Sequence, residues 1–348
     1  MSGQRTLLVL GGTVYLSKAV AKAAVERGSR VTVAARGASG EPPEGVEFVR
    51  IDRSSPEGVA PLAGRSFDAV VDVSRIPAQV GPVLDALADG AGHWTFVSSI
   101  SVYADPSARG DRTLEPSSAD ETETSLELYG RNKVTCENLV RERLGDRAFV
   151  PRPGLIVGAG DNSDRLGCWP LRIAEGGEVL APGRPERQVQ WIDVEDLAAW
   201  ILDAGERGVV GTFDAIGRPI AMERFLHGIA DTLIGLGVIE ARPEFTWVPQ
   251  DFLAEHGVNP WAGPDSLGLW LPEPDYDGMV SHDPESAFGA GLATVSLATT
   301  IERWWKANAD APRLTAGLTR EKEGTVLGIW HDRERTFEVP TPENFVGP

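Results

Sequence analysis

Short apolar runs alternate with helix-period segments through the first half of the chain. Thr6–Leu10, Arg30–Ala34, Val46–Arg50, Ala69–Asp72, Thr95–Val97 and Ala148–Val150 carry clustered aliphatic and aromatic residues bounded by turn formers, the pattern of buried strands. Between them, apolar positions recur at helical spacing at about 15–25, 77–88 and 126–144. Strand and helix in alternation imply right-handed crossovers and a parallel, doubly wound sheet. The expected fold is therefore α/β and Rossmann-like, with ligand beyond the carboxyl ends of the strands.

The pattern changes after about residue 155, where Gly and Pro become frequent and six of the ten tryptophans lie beyond residue 217. This predicts a smaller, mixed substrate lobe at 166–187 and 217–348. Residues 1–165 form the dinucleotide-binding domain, and a helix-period segment at Val194–Glu206 with a strand-like Gly211–Ala215 returns 188–216 to it. Trp261, Trp270, Trp304 and Trp305 are candidates to line a pocket, although core packing and loop anchoring explain them more simply. Asp193 and Asp196 are expected to cap the helix that follows them, and Arg184 and Arg187 to be solvated.

Composition narrows the class. With 348 residues, 42% hydrophobic, the chain can bury a full core. Its two cysteines, Cys136 and Cys168, have neither disulfide nor zinc spacing, and its five histidines are scattered, so no metal is expected. The Asp120–Glu123 cluster reads as a solvated loop or helix entry. A net charge of -18 opposes nucleic-acid and anionic-membrane binding. No apolar run approaches the roughly 20 residues of a membrane span. The expectation is a soluble, cytoplasmic protein with a small-molecule partner; a homodimer is compatible with the sequence.

The first strand runs into Gly11, Gly12, Thr13, Val14, Tyr15, Leu16 and Ser17, then into a helical segment. A dinucleotide fold places its glycine loop there, backbone N–H groups and helix dipole facing the pyrophosphate. The glycine pattern is degraded, because Val14 and Ser17 hold the second and third slots of a GxxGxxG reading. At the end of the second strand, where an NAD site presents an acid to the ribose, this chain has Ala35 followed by Arg36. Arg36 suits a 2′-phosphate and favours NADP, with NAD still admissible. Asp52 is a candidate acceptor for the adenine amino group or a cap for the turn after it; Arg53 and Val73 are further cofactor-side candidates.

Ser98 and Ser99 follow the fifth strand, and Tyr129 and Lys133 lie four residues apart on a helix, sharing one face. The chemistry needs that pairing. A phenol ionises only near pH 10, and an adjacent ammonium stabilises its phenolate, while a serine hydroxyl can hold the substrate oxygen.

In this order behind a Rossmann-like start, these residues resemble the extended short-chain dehydrogenase/reductases, in the NAD-dependent epimerase/dehydratase family. The likeness continues through Arg152–Gly158 and Gln190–Asp196, spans roughly residues 5–215, and is greatest to a bacterial subgroup whose loop reads GGTxFLG, in which a non-glycine second slot is normal. The resemblance implies Ser99, Tyr129 and Lys133 as the catalytic group and Ser98, Pro153 and Gly154 as nicotinamide-side positions. Ser99 is followed by Ile100 and Ser101 rather than the acidic pair of sugar dehydratases, so dehydration is not expected. The expected activity is NADPH-dependent reduction of a carbonyl, or the reverse oxidation. The alternatives are a nucleotide-sugar epimerase with retained NAD and a non-catalytic NADP-sensing protein.

Overall fold

The computed structural model describes residues 4–161, 163–308, 310 and 316–337. Two compact units emerge: 1–162 with 188–220 and 273–310, and 163–187 with 221–272 and 311–348.

Unit 1 is built on β1 (Thr6–Leu10), α1 (Tyr15–Glu26), β2 (Arg30–Ala35), β3 (Glu47–Arg50), β4 (Phe67–Asp72), α2 (Gly81–Leu87), β5 (Ala91–Phe96), α3 (Leu126–Leu144), β6 (Ala148–Pro153), α4 (Val194–Arg207) and β7 (Gly211–Ala215). The strands form one sheet in the order β7-β6-β5-β4-β1-β2-β3. Every pairing in it is parallel. Such a sheet buries both faces, which is why its strands read as continuous apolar runs rather than as alternation. Leu7, Val9, Val71, Val97 and Phe149 pack with α1 and α4. Leu8, Leu10, Val70, Phe96 and Val150 pack with α2 and α3. Trp200 of α4 meets Phe149 edge-on, at 4.8 Å and 87°.

The helix at α4 starts as its sequence requires: Asp193 caps it by accepting the Glu195 N–H at 2.8 Å. Asp196 instead accepts the Val295 N–H, at 2.7 Å. The Leu297–Asn308 helix is tied to the same place, since Arg303 reaches Asp193 and Asp196, each at 3.3 Å. These ties, with Ala287 and Leu292 in the sheet's core and Trp304 buried, place 273–310 in unit 1 rather than with the rest of the Trp-rich segment.

Unit 2 is less regular. Strand Glu178–Pro182 pairs in parallel with Glu244–Val248, and helices Cys168–Ala174 and Met222–Gly235 pack together. Trp169 is buried and donates to the Gly268 carbonyl at 2.7 Å. Arg187 is not solvated: it is buried, giving its guanidinium to the carbonyls of Leu271 and Pro272 at 2.8 and 3.3 Å. Trp270 is a core residue. Among the described residues, no helix is long and apolar enough to cross a membrane.

Candidate active site

The β1–α1 turn is shaped by its two glycines. Gly11 and Gly12 have φ of 109° and 71°, in the region that side chains avoid. A Cβ on Gly12 would lie 2.7 Å from the Val33 methyls. Val14, by contrast, is extended at φ -135° and serves as N-cap without a side-chain cap bond. The first turn of the twelve-residue α1 contains no acidic residue, so its N–H groups and the positive end of its dipole suit an anionic pyrophosphate. Ser17 donates its hydroxyl back to the Val14 carbonyl at 2.8 Å and packs under Gly11, the place where a third glycine was missed. Thr13 and Leu16 are buried, and Val73 borders Gly11. Tyr15 opens α1 at φ 42°, a strained position for a residue with a side chain.

Two residues at the β2 and β3 ends keep their side chains toward solvent. Arg36 is exposed. Asp52 accepts the N–H and hydroxyl of Ser54 at 3.0 and 2.7 Å, and these bonds, aided by the charge of Arg36, hold its carboxyl below the usual range. Asp52 thus caps the turn. Arg53 turns inward and donates to Asp72 at 2.8 Å.

At the β5 end, Ser99 caps a single 3-10 turn, Ile100–Val102, by accepting the Ser101 N–H at 3.1 Å. Its hydroxyl donates to the Ser101 hydroxyl at 3.1 Å, a bond that a substrate oxygen can replace. Helix α3 comes close to this turn because of Gly130: a Cβ there would lie 2.2 Å from the Ser101 carbonyl and 2.7 Å from Leu114. A glycine inside a helix costs about 1 kcal/mol, and here the backbone contact explains it. The consequence is positional, since Tyr129 precedes Gly130 and is carried to the Ser99 turn by the same contact. Tyr129 is half-buried, and among the described residues its hydroxyl has no hydrogen bond.

Lys133, one turn further, is buried. Its ammonium donates to the carbonyls of Ser74 and Val97, each at 2.7 Å, and sits 5.0 Å from the Phe96 ring centroid. An ammonium has three N–H bonds, so one donor remains.

The next turn holds a group that the sequence reading missed. Glu137 accepts two bonds from Arg152 at 2.8 and 2.7 Å and one from Arg141 at 2.8 Å. Burial pushes its carboxyl up, but the bonds and charges of Arg152 and Arg141 outweigh that and hold it below the usual range. Arg152 also donates to Tyr103 at 3.2 Å, and Tyr103 donates to Asp214 at 2.6 Å, with His282 on the other Asp214 oxygen at 2.9 Å. Burial, with Asp214 beside it, pushes the Tyr103 phenol up to about 12. The signal for this network was the YxxxKxxxE spacing and the Arg beside Pro153. Pro153 ends β6, and a Cβ on Gly154 would lie 2.2 Å from Ile216, so the backbone stays low there.

A seven-stranded parallel sheet with a glycine-shaped first turn and a Ser/Tyr/Lys group at its carboxyl edge defines the class, the extended short-chain dehydrogenase/reductases. The sequence pattern of the NAD dependent epimerase/dehydratase family matches residues 7–213, and the chain belongs to that family. No curated protein matches the chain at a significant level. Solved structures of similar fold include WbmH of Bordetella bronchiseptica in complex with NAD+, at 15% identity, covering 88% of this chain and 99% of that one with a TM-score of 0.58. UDP-N-acetylglucosamine 4-epimerase of Bacillus cereus is 16% identical, with 89% and 99% covered and a TM-score of 0.62. UDP-glucose 4-epimerase of Thermus thermophilus, in complex with NAD, is 16% identical, with 88% and 100% covered and a TM-score of 0.57.

Proposed function

We propose that the chain is a nicotinamide-dependent oxidoreductase that reduces a carbonyl, or oxidises the corresponding alcohol, on a small organic molecule. The observation that supports this reading is the close passage of Gly130, on the stretch of α3 between Tyr129 and Lys133, against the carbonyl of Ser101 in the turn that Ser99 caps. The bound nicotinamide would supply or accept the hydride. Ser99 holds the substrate oxygen, and Tyr129 gives that oxygen a proton as the carbon gains hydride, or takes it back in oxidation. Lys133, fixed by two carbonyls, presents its remaining N–H and its charge to the phenol and the cofactor ribose. Gly11 to Leu16 would hold the pyrophosphate, and Ser98, Val73, Pro153 and Gly154 would border the nicotinamide half.

NADP is the favoured cofactor, because Ala35 leaves no acid to repel a 2′-phosphate and Arg36 is exposed to meet it. Asp52 and Arg53 contribute backbone and turn geometry on the adenine side, since their side chains are engaged elsewhere. Unit 2 would select the substrate, and the charge of -18 favours a small molecule over nucleic acid.

A nucleotide-sugar epimerase is the second reading, supported by the family and by the epimerases of similar fold. An epimerase keeps NAD, so the absorbance of the purified protein and the net consumption of added NADPH separate the two. Calorimetry should show NADPH binding tighter than NADH, with Arg36→Ala removing the difference; equal affinities in the unaltered protein would end the NADP assignment. Tyr129→Phe should lower turnover by roughly 10²–10⁴-fold once a substrate is in hand. Full turnover in that variant would remove the proton-transfer role.

A further inference from the structure

We infer that Asp72 is a positioning residue for Lys133, fixing the carbonyl that holds the ammonium and setting, with Arg53, the charge balance felt at Tyr129. The inference rests on the proposed Ser99/Tyr129/Lys133 reading.

Asp72 ends β4 and is wholly buried. One carboxylate oxygen accepts from Arg53 at 2.8 Å and from the Ser74 N–H at 2.9 Å. Among the described residues, the other has no hydrogen bond. The Ser74 carbonyl, on the far side of the same peptide turn, receives Lys133. A chain therefore runs from Arg53 through Asp72 and Ser74 to Lys133, crossing from the β3 end to α3. A buried carboxylate with a single cationic partner and an unmet oxygen carries a desolvation penalty, and an asparagine or an apolar residue would fill β4 more cheaply for stability alone. What the carboxylate adds is the shape of the 72–74 turn and a negative charge among cations.

The surroundings locate that charge. Arg53, from the turn after β3, is bonded to it directly, and Lys133 of α3 is tied to it through Ser74; Glu137, on the next turn of α3, is occupied by Arg152 and Arg141. Burial pushes the Cys136 thiol up to about 12, with the charge of Asp72 raising it and those of Lys133 and Arg53 opposing. The thiol stays neutral, so the local sum is two cations and one anion. On the proposed reading, in which the Lys133 charge acts on the Tyr129 phenol, that field is partly offset by Asp72, and Asp72 is itself offset by Arg53.

The test needs no substrate. The ultraviolet absorbance of tyrosinate, measured against pH in the full protein and in Tyr129→Phe, isolates the ionisation of Tyr129 by difference; the same pair is then measured in an Asp72→Asn background. Asp72→Asn keeps the shape and an acceptor for the Ser74 N–H while removing the charge. The Tyr129 midpoint should fall by about half a pH unit or more. Arg53→Met removes the opposite charge and should raise it, which keeps the inference testable where Asp72→Asn fails to fold. A midpoint unmoved in these variants but moved by Lys133→Met would overturn the role of Asp72 alone. A midpoint unmoved by Lys133→Met would overturn the Tyr129/Lys133 reading itself.

Discussion

On the proposed reading, the working groups at the β1–α1 turn are backbone N–H donors, set by Gly11 and Gly12 at positive φ, whereas at the β5–α3 end they are side chains, held by backbone carbonyls and a neighbouring hydroxyl. The difference decides what each end tolerates. Backbone donors depend on conformation, so any residue that accepts the required φ can stand there, as Val14 does at φ -135°. Side-chain groups depend on identity and on their supports: Lys133 needs the carbonyls of Ser74 and Val97, and α3 needs Gly130 to reach Ser101. The two ends are accordingly expected to fail in different ways, and each expectation can be measured.

The largest effect should come from the support of the side-chain end. Glu137 and Arg152 are both buried, and Glu137→Ala leaves a guanidinium without its principal partner. Breaking such a pair costs about 3–5 kcal/mol, read as a fall in the urea midpoint at constant m-value. A loss under 1 kcal/mol would mean that the pair is dispensable and that the side-chain end stands on Gly130 and Lys133 alone.

Residue type explains why this end was the more legible in sequence. Ser99, Tyr129 and Lys133 announce themselves by chemistry and order, and the strands flanking them by continuous apolar runs. Strand β1 and helix α3 have the bounds that their patterns predict. Glu137, Asp72 and Gly130 were not read, because a charge on a helix face is usually solvated and a helical glycine is usually tolerated; burial and close approach appear only in three dimensions. In unit 2 even the elements were obscure. Met222–Gly235 and Arg320–Phe337 are helices whose tertiary partners lie far along the chain, and Arg187 was read as solvated since nothing local shows the carbonyls of Leu271 and Pro272 that bury it.

The backbone end has one position where conformation and space both forbid a side chain. Gly12→Ala places a Cβ at φ 71° and 2.7 Å from the Val33 methyls. Left-handed strain and overpacking together should cost roughly 2–4 kcal/mol and weaken cofactor binding measured by calorimetry. Unchanged stability would show that β2 yields locally.

A smaller effect separates the ends by pH. The folded Glu137 carboxyl lies below its usual value, so its contribution to stability is complete above the ordinary glutamate range, about pH 4.3, and is lost as pH falls through the folded value. The unfolded chain takes up the proton first on acidification. Stability of the unaltered protein should therefore fall faster below about pH 4 than that of Glu137→Gln, by up to about 1.4 kcal/mol per pH unit. Parallel curves would remove the charge from the account of this end.

The smallest effect is expected at Val14, where the sequence departs most visibly from a glycine-rich loop. Its φ of -135° is open to every residue, and its side chain is partly exposed, so a glycine would gain nothing in the folded state. Val14→Gly should instead lose about 0.4–1 kcal/mol through the greater freedom of the unfolded chain. Cofactor affinity should change less than for Gly12→Ala, because the positive-φ turns that aim the N–H groups belong to Gly11 and Gly12. If Val14→Gly tightened cofactor binding by more than about tenfold, the valine would be obstructing the pyrophosphate and the loop would be a degraded one. The conformational reading requires the opposite outcome, a loop whose two indispensable glycines are both in place.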